Sequence, residues 1–226
     1  MKQISKFILI AALTASLTSS ATIVEQWKFE GDQPEKGVNG RIIPQWANQP
    51  PNKVISPKVL RYATPGKTDG GQLGGIDTST ISKLVLTIMA KDIFIGNEGD
   101  SKDKIAFELV AKGGALVVEL NVYKNGMLTA DIEQGTKSEG DLDLNLLPAK
   151  LHHSASPLVM VATWDFIEKS MSFSVMGSAT GSISAEAPNL ANVSKIWSLR
   201  VSGGEMKHGS YIDLYSVTVE TVPLNP

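Results

Sequence analysis

With 226 residues, no cysteine and 21 basic against 23 acidic side chains, the chain excludes several classes at once. Thiol catalysis, disulfide staples and Cys-based zinc sites are ruled out, and nucleic acid would require clustered positive charge that the acidic balance does not supply. The length suits one all-β domain able to bury a core without covalent cross-links.

Residues 1–6 carry Lys2 and Lys6 and no acid, the apolar run Phe7–Leu13 follows, and small polar residues fill 14–21. That order matches a secretory signal, with cleavage expected near Ala21. A membrane anchor needs about 20 apolar residues, whereas this run breaks into Ser and Thr after Leu13. Removal of residues 1–21 leaves 205 residues with 19 basic and 23 acidic side chains, a net charge of −4. No later stretch has the length and apolarity of a spanning helix, so residues 22–226 are expected to form one exported, soluble domain.

The first strand is read at Ile23–Phe29, where Ile, Val and aromatic residues alternate with charged ones. Residues 30–75 lack periodicity; Pro50 and Pro51 exclude a central strand there, and only Val59–Tyr62 reads as a short strand. Residues 81–95 form the next strand, with Leu84, Leu86, Ile88 and Ala90 on one side. After the turn cluster 97–103, three hairpin-ordered strands follow at 104–111, 115–123 and 127–132. They are separated by Lys112-Gly113-Gly114 and by Asn125-Gly126, a dipeptide suited to positive φ. Ile105, Phe107 and Leu109 point inward on the first of these, and Leu116, Val118, Leu120 and Val122 on the second.

A polar crossover spans 135–156, with Leu144–Leu147 able to pack within it. Leu158–Trp164 is almost continuously apolar, as in a strand buried on both faces. Residues 165–169 turn the chain, 171–176 return antiparallel, 196–201 form another strand, and residues 209–219 close the fold beside the first strand. Short strands at near-regular spacing, with no helical stripe and no repeat, predict an all-β, two-sheet antiparallel β-sandwich.

The order of these elements resembles the concanavalin A-like, laminin-G-like jelly-roll domains of exported bacterial proteins. Val24-Glu25-Gln26-Trp27-Lys28-Phe29-Glu30-Gly31 is similar to the opening "xxWxFDEG" strand of that family. Residues 81–91 resemble its "ftvsaWvk" strand without the tryptophan, and Val161-Ala162-Thr163-Trp164-Asp165 its "vaxtyD" strand and turn. Residues 198–204 with 209–215 resemble the "lxiGgxxxxxGxIDevriy" ending. The resemblance implies two packed antiparallel sheets over residues 22–226 and does not imply one activity.

Glycosidases on a related jelly roll carry paired glutamates on one strand in an ExDxxE pattern, about 5 Å apart. The local match is Glu119-Leu120-Asn121-Val122-Tyr123-Lys124, where Asn121 and Lys124 replace two of the acids, so no nucleophile–acid pair is built along that strand. Asn121 and Tyr123 share its outward face and are candidate sugar contacts.

Lys207-His208-Gly209-Ser210-Tyr211 superficially resembles the "KxGxY" piece of jelly-roll polysaccharide lyases. A lyase would need Tyr211 and His208 in a cleft with Arg61 or Arg200 to neutralise a uronate carboxylate. Asp213 stands where the glutamine of that pattern is expected, and no "RxELR" or "QxH" strand is present. His152-His153 are neighbours that would point to opposite faces of a strand and chelate one metal poorly. Asp100 and Asp103 lie in an acidic turn and are the calcium candidates, with Lys102 and Lys104 opposing that role. Trp27, Trp164 and Trp197 lie on strand-like segments and are expected in the core. Trp46, in the proline-rich stretch, is the expected sugar-stacking residue.

The expectation is an exported, non-catalytic domain that binds a polysaccharide or a surface glycoprotein, with no cofactor other than calcium. A polysaccharide lyase and a structural envelope or matrix protein are the alternatives.

Overall fold

A computed structural model of the chain describes residues 21–29, 39, 53–55, 59–62, 66–94, 103–122, 128–134, 142–146, 157–177, 180–203 and 211–224. In chain order the strands begin with β1 (Thr22–Lys28), β2 (Lys53–Ile55), β3 (Val59–Tyr62), β4 (Gly66–Asp77) and β5 (Ile81–Phe94). Next come β6 (Asp103–Lys112), β7 (Leu116–Val122), β8 (Leu128–Gln134) and β9 (Leu142–Leu146). The last are β10 (Leu158–Asp165), β11 (Ser170–Met176), β12 (Gly181–Glu186), β13 (Lys195–Gly203) and β14 (Tyr211–Pro223). Short 3-10 turns at Thr78–Thr80 and Pro188–Asn192 are the helical elements among the described residues.

Two antiparallel sheets pack face to face. One has eight strands in the order β12-β11-β10-β5-β14-β3-β2, with β1 beside β14; the other has six in the order β4-β13-β6-β7-β8-β9. The long β14 is shared along one edge: Leu214 pairs with Leu60 of β3, and further on Val217 pairs with Trp27 of β1. The ends of the chain therefore lie side by side as expected, and the Phe29 amide continues the seam by donating to the Tyr215 carbonyl at 3.1 Å.

Period-two alternation supplies the core. Leu84, Leu86, Ile88 and Ala90 from β5 meet Ile105, Phe107, Leu109, Leu116 and Val118 from the other sheet, all buried. Trp27, Phe29, Tyr62, Trp164 and Phe173 fill the space between, and each fully buried large side chain contributes about 1.5–3 kcal/mol. Tyr62 crosses the sandwich, donating its hydroxyl to the Val201 carbonyl at 3.4 Å. The β10–β11 turn is held by Asp165, whose Oδ1 accepts from the amides of Ile167 and Glu168 at 3.0 and 2.9 Å while Oδ2 meets Lys83 Nζ at 3.0 Å. Burial pushes this carboxyl up, but the Glu168 amide, Lys83 and the Ile167 amide together hold it below the ordinary value.

Four sequence expectations are corrected. Leu158–Trp164 is not buried on both faces: Leu158, Met160, Ala162 and Trp164 enter the core, while Val159, Val161 and Thr163 are partly exposed on the outer face. The stretch 30–75 holds β2 and β4 besides β3, and β4 is formed by pairing with β13 rather than by any alternation of its own. β12 was not anticipated; its small residues pair with Ser170–Val175 of β11. Trp197, expected in the core, is 48% exposed.

Candidate functional site

Trp197 reaches the surface because β13 is irregular on both sides at this point. Toward β6, Ile196 pairs with Ala111 and Ser198 with Val110, so Trp197 is the extra residue of a bulge. Toward β4, Ile196 pairs with Ile76 and Ser198 with Gln72, leaving residues 73–75 opposite Trp197 alone. Leu73 turns into the core, and Gly74 and Gly75 complete the detour at φ of 74° and 80°, a region where a side chain is strained.

Gly75 also provides the floor. A Cβ there would sit 2.7 Å from Lys195 Cε and 3.2 Å from Trp197 Cζ3, so the bare backbone lets both side chains lie down over it. Lys195 Nζ lies 4.4 Å from the Trp197 ring centroid. Lys195 pairs in register with Asp77 on one side and Lys112 on the other. Asp77 caps the Thr78–Thr80 turn, its Oδ1 accepting from the Ser79 hydroxyl at 2.7 Å and the Ser79 amide at 2.9 Å. These two bonds, and to a smaller degree the Lys195 charge, hold the Asp77 carboxyl below its ordinary value. The result is a half-open indole carrying one cation, with exposed Gln72 and partly exposed Ser198 beside it. Such a surface can stack against the C–H face of a ring while polar neighbours bond its rim.

A second constellation lies on the outer face of the eight-stranded sheet. Arg61 Nε and Nη2 donate to Asp213 Oδ1 and Oδ2 at 2.8 and 2.9 Å, a bidentate pair. The Arg61 guanidinium carbon lies 3.6 Å from the Tyr211 ring centroid. Nearby, burial and then the Asp213 charge push the Tyr215 hydroxyl above its ordinary value. The fold thus brings Arg61 and Tyr211 together. Arg200 belongs to the other sheet, where its Nη1 meets Glu108 Oε2 at 3.4 Å, so the two arginines serve different faces. His208 lies outside the described residues, as do Trp46, Tyr123, Asp100, His152 and His153.

Asn121 is on β7, in register with Lys104 and Thr129, and Asp103 begins β6 opposite Val122. Two residues along, Glu119 pairs with Asp131 and Asp131 with Asp143, so three acidic residues occupy matching register positions across β7, β8 and β9. A search for paired acids along one strand misses this row, because its members come from neighbouring strands. Among the described residues, no group of three or more His, Cys, Asp or Glu is placed to hold a metal ion.

No protein-family model matches the chain, and no curated protein matches it in sequence. Solved structures do. The CBM2 module of the evolved Dit of Lactobacillus casei BL23 phage J-1 is similar over 92% of this chain and 98% of its own, at TM-score 0.61 and 10% identity. Peanut lectin is similar over 89% of this chain and 100% of its own, at TM-score 0.57 and 12% identity. An endo-1,3-beta-glucanase from Streptomyces sioyaensis covers 92% of this chain and 98% of its own, at TM-score 0.55 and 12% identity. Likenesses at these identities define the fold: the chain is a concanavalin A-like jelly-roll sandwich. Among the described residues no helix is long and apolar enough to cross a membrane.

Proposed function

We propose that this chain is an exported, non-catalytic binding domain for glycan on a polysaccharide or surface glycoprotein, released by cleavage near Ala21 as a single domain over residues 22–226. The observation that carries the reading is Trp197: a large apolar ring held half in water, on a bulge, over a glycine floor. Ile23, Ile167 and Leu224 are comparably exposed, so what sets Trp197 apart is its flat ring with a cation beside it, the combination suited to stacking on a sugar. The solved neighbours support the same reading, since they include proteins named as lectins and a CBM2 module. Trp46, Asn121 and Tyr123 are the further contacts proposed from the sequence, and Asp100 with Asp103 the calcium ligands.

The lyase alternative has one observation in its favour, the adjacency of Tyr211 and Arg61. Against it, the Arg61 charge is already matched by a bidentate Asp213, which leaves that arginine poorly suited to a uronate carboxylate. A glycan array probed with the chain and with Trp197→Ala tests the binding reading. Loss of stacking should weaken binding about tenfold or more with the fold intact by circular dichroism. Absence of binding to every glycan, or binding untouched by the substitution, sinks it. Ultraviolet-absorbing unsaturated products from uronate polymers would establish the lyase instead.

A further inference from the structure

We infer that the Trp197 platform is a site for acidic saccharides, its lysine pair Lys195 and Lys112 receiving a uronate carboxylate or a sulfate ester while the pyranose lies on the indole. The inference rests on the glycan-binding reading and adds the charge of the ligand to it.

Lys195 and Lys112 stand directly opposite each other on β13 and β6. Like charges in that relation repel, so the pair lowers the stability of the empty sheet and would be relieved by an anion. The strands beneath are firmly placed. Ser194 donates its amide to the Lys112 carbonyl at 3.0 Å. The following Gly113, at φ 92°, packs so closely on the 3-10 turn Pro188–Asn192 that a Cβ would lie 1.8 Å from the Asn192 carbonyl oxygen. The two lysines are therefore held side by side by backbone, with little freedom to diverge at their roots.

Neither lysine has a carboxylate at ion-pair distance among the described residues. Asp77, opposite Lys195, is the one acid in this row, and its Oδ1 is engaged by the Ser79 amide and hydroxyl. Arg200 and Glu108, the next charged residues on this face, pair with each other. The row Asp77–Lys195–Lys112 thus keeps one positive charge in excess, beside the indole, on a chain whose formal net charge is −2. An ammonium already lying over the Trp197 ring marks where the ligand's negative group belongs: at the Lys195–Lys112 edge, with its ring against the indole.

The test measures binding of oligogalacturonate and its methyl ester, and of a sulfated galactan and its desulfated form, by titration calorimetry at low and high salt. The acidic member of a pair should bind about tenfold tighter than its neutral form, the size of one charge-assisted contact, and lose that margin in high salt. The pair showing the margin identifies the anion as carboxylate or sulfate. Lys112→Gln should remove most of the preference for the acidic form, and Trp197→Ala should weaken both forms. Equal affinity for acidic and neutral forms overturns the charge assignment and leaves the glycan reading intact. Binding of neither form overturns the acidic-saccharide assignment, and the glycan reading falls with it only if the glycan array is also blank. Poly-glutamate bound as tightly as the acidic sugar overturns the saccharide assignment in favour of an acidic protein.

Discussion

The two outer faces of the sandwich each carry a cation lying on an aromatic ring, and the two pairs end differently. On the eight-stranded sheet, Arg61 covers Tyr211 and is answered by Asp213, a carboxylate whose side chain is 3% exposed. On the six-stranded sheet, Lys195 covers Trp197, and its opposite neighbour across β6 is another lysine. The first arrangement is complete within the chain: planar guanidinium, bidentate acid and ring satisfy one another. The second has a positive charge left over and an indole half in water. The difference separates a cation that builds the fold from one that is available to a partner.

Three substitutions sharpen this contrast. Asp213→Ala should be the most damaging, because it strips the acid from a buried pair. Loss of a fully buried partner costs about 3–5 kcal/mol, and the 31% exposure of Arg61 lowers the expectation to about 2 kcal/mol. Urea denaturation reads the value directly, and a change under about 0.5 kcal/mol would make the two faces equivalent after all.

Gly75→Ala comes next. Alanine at φ 80° is strained, and its methyl group would push against Trp197, while the Lys195 stem can swing aside; together these should cost about 1–2 kcal/mol. Displacement of Lys195 from the indole should shift the tryptophan fluorescence. An unchanged spectrum and unchanged stability would remove the glycine floor from the account of the site.

The smallest effect is expected at Glu220, on the same face as Arg61 but with no cation at ion-pair distance among the described residues. Burial among its neighbours, which include Val85 opposite, pushes its carboxyl above the ordinary 4.5. A raised acid holds its proton more tightly folded than unfolded, so stability falls as pH rises from the ordinary value through the raised one. Glu220→Gln should therefore stabilise the protein at pH 7 by less than about 0.5 kcal/mol, with the gain gone at pH 3. An equal gain at both pH values would show that the carboxylate charge is not its source.

Much of the fold was legible because alternation and turn chemistry agreed. β5 and β6 place the expected side chains inward, Leu116 and Val118 do so on β7, and β1 meets β14. The failures share one cause, pairing that local sequence does not encode. β4 contains five glycines in twelve residues and shows no period; it becomes a strand because β13 lies beside it. Trp197 has the same parity as Leu199 and Val201, so a regular strand would bury all three. The bulge resets the parity, sending Ile196 inward and Trp197 out. The site was misread for that reason alone: its residues were visible, and the irregularity that aims them was not. Gly74-Gly75 was the available signal, since consecutive glycines before a strand partner mark a detour.

The seam between β1 and β14 also governs how the molecule assembles. Thr22 partners Thr221, so the first strand has nothing to dock on until the chain has been made through residue 221. Closing so long a loop is slow, and a growing chain would keep Trp27 and Phe29 solvated throughout. Such delayed closure leaves the first strand extended and unpaired for most of synthesis, which is compatible with the export proposed above.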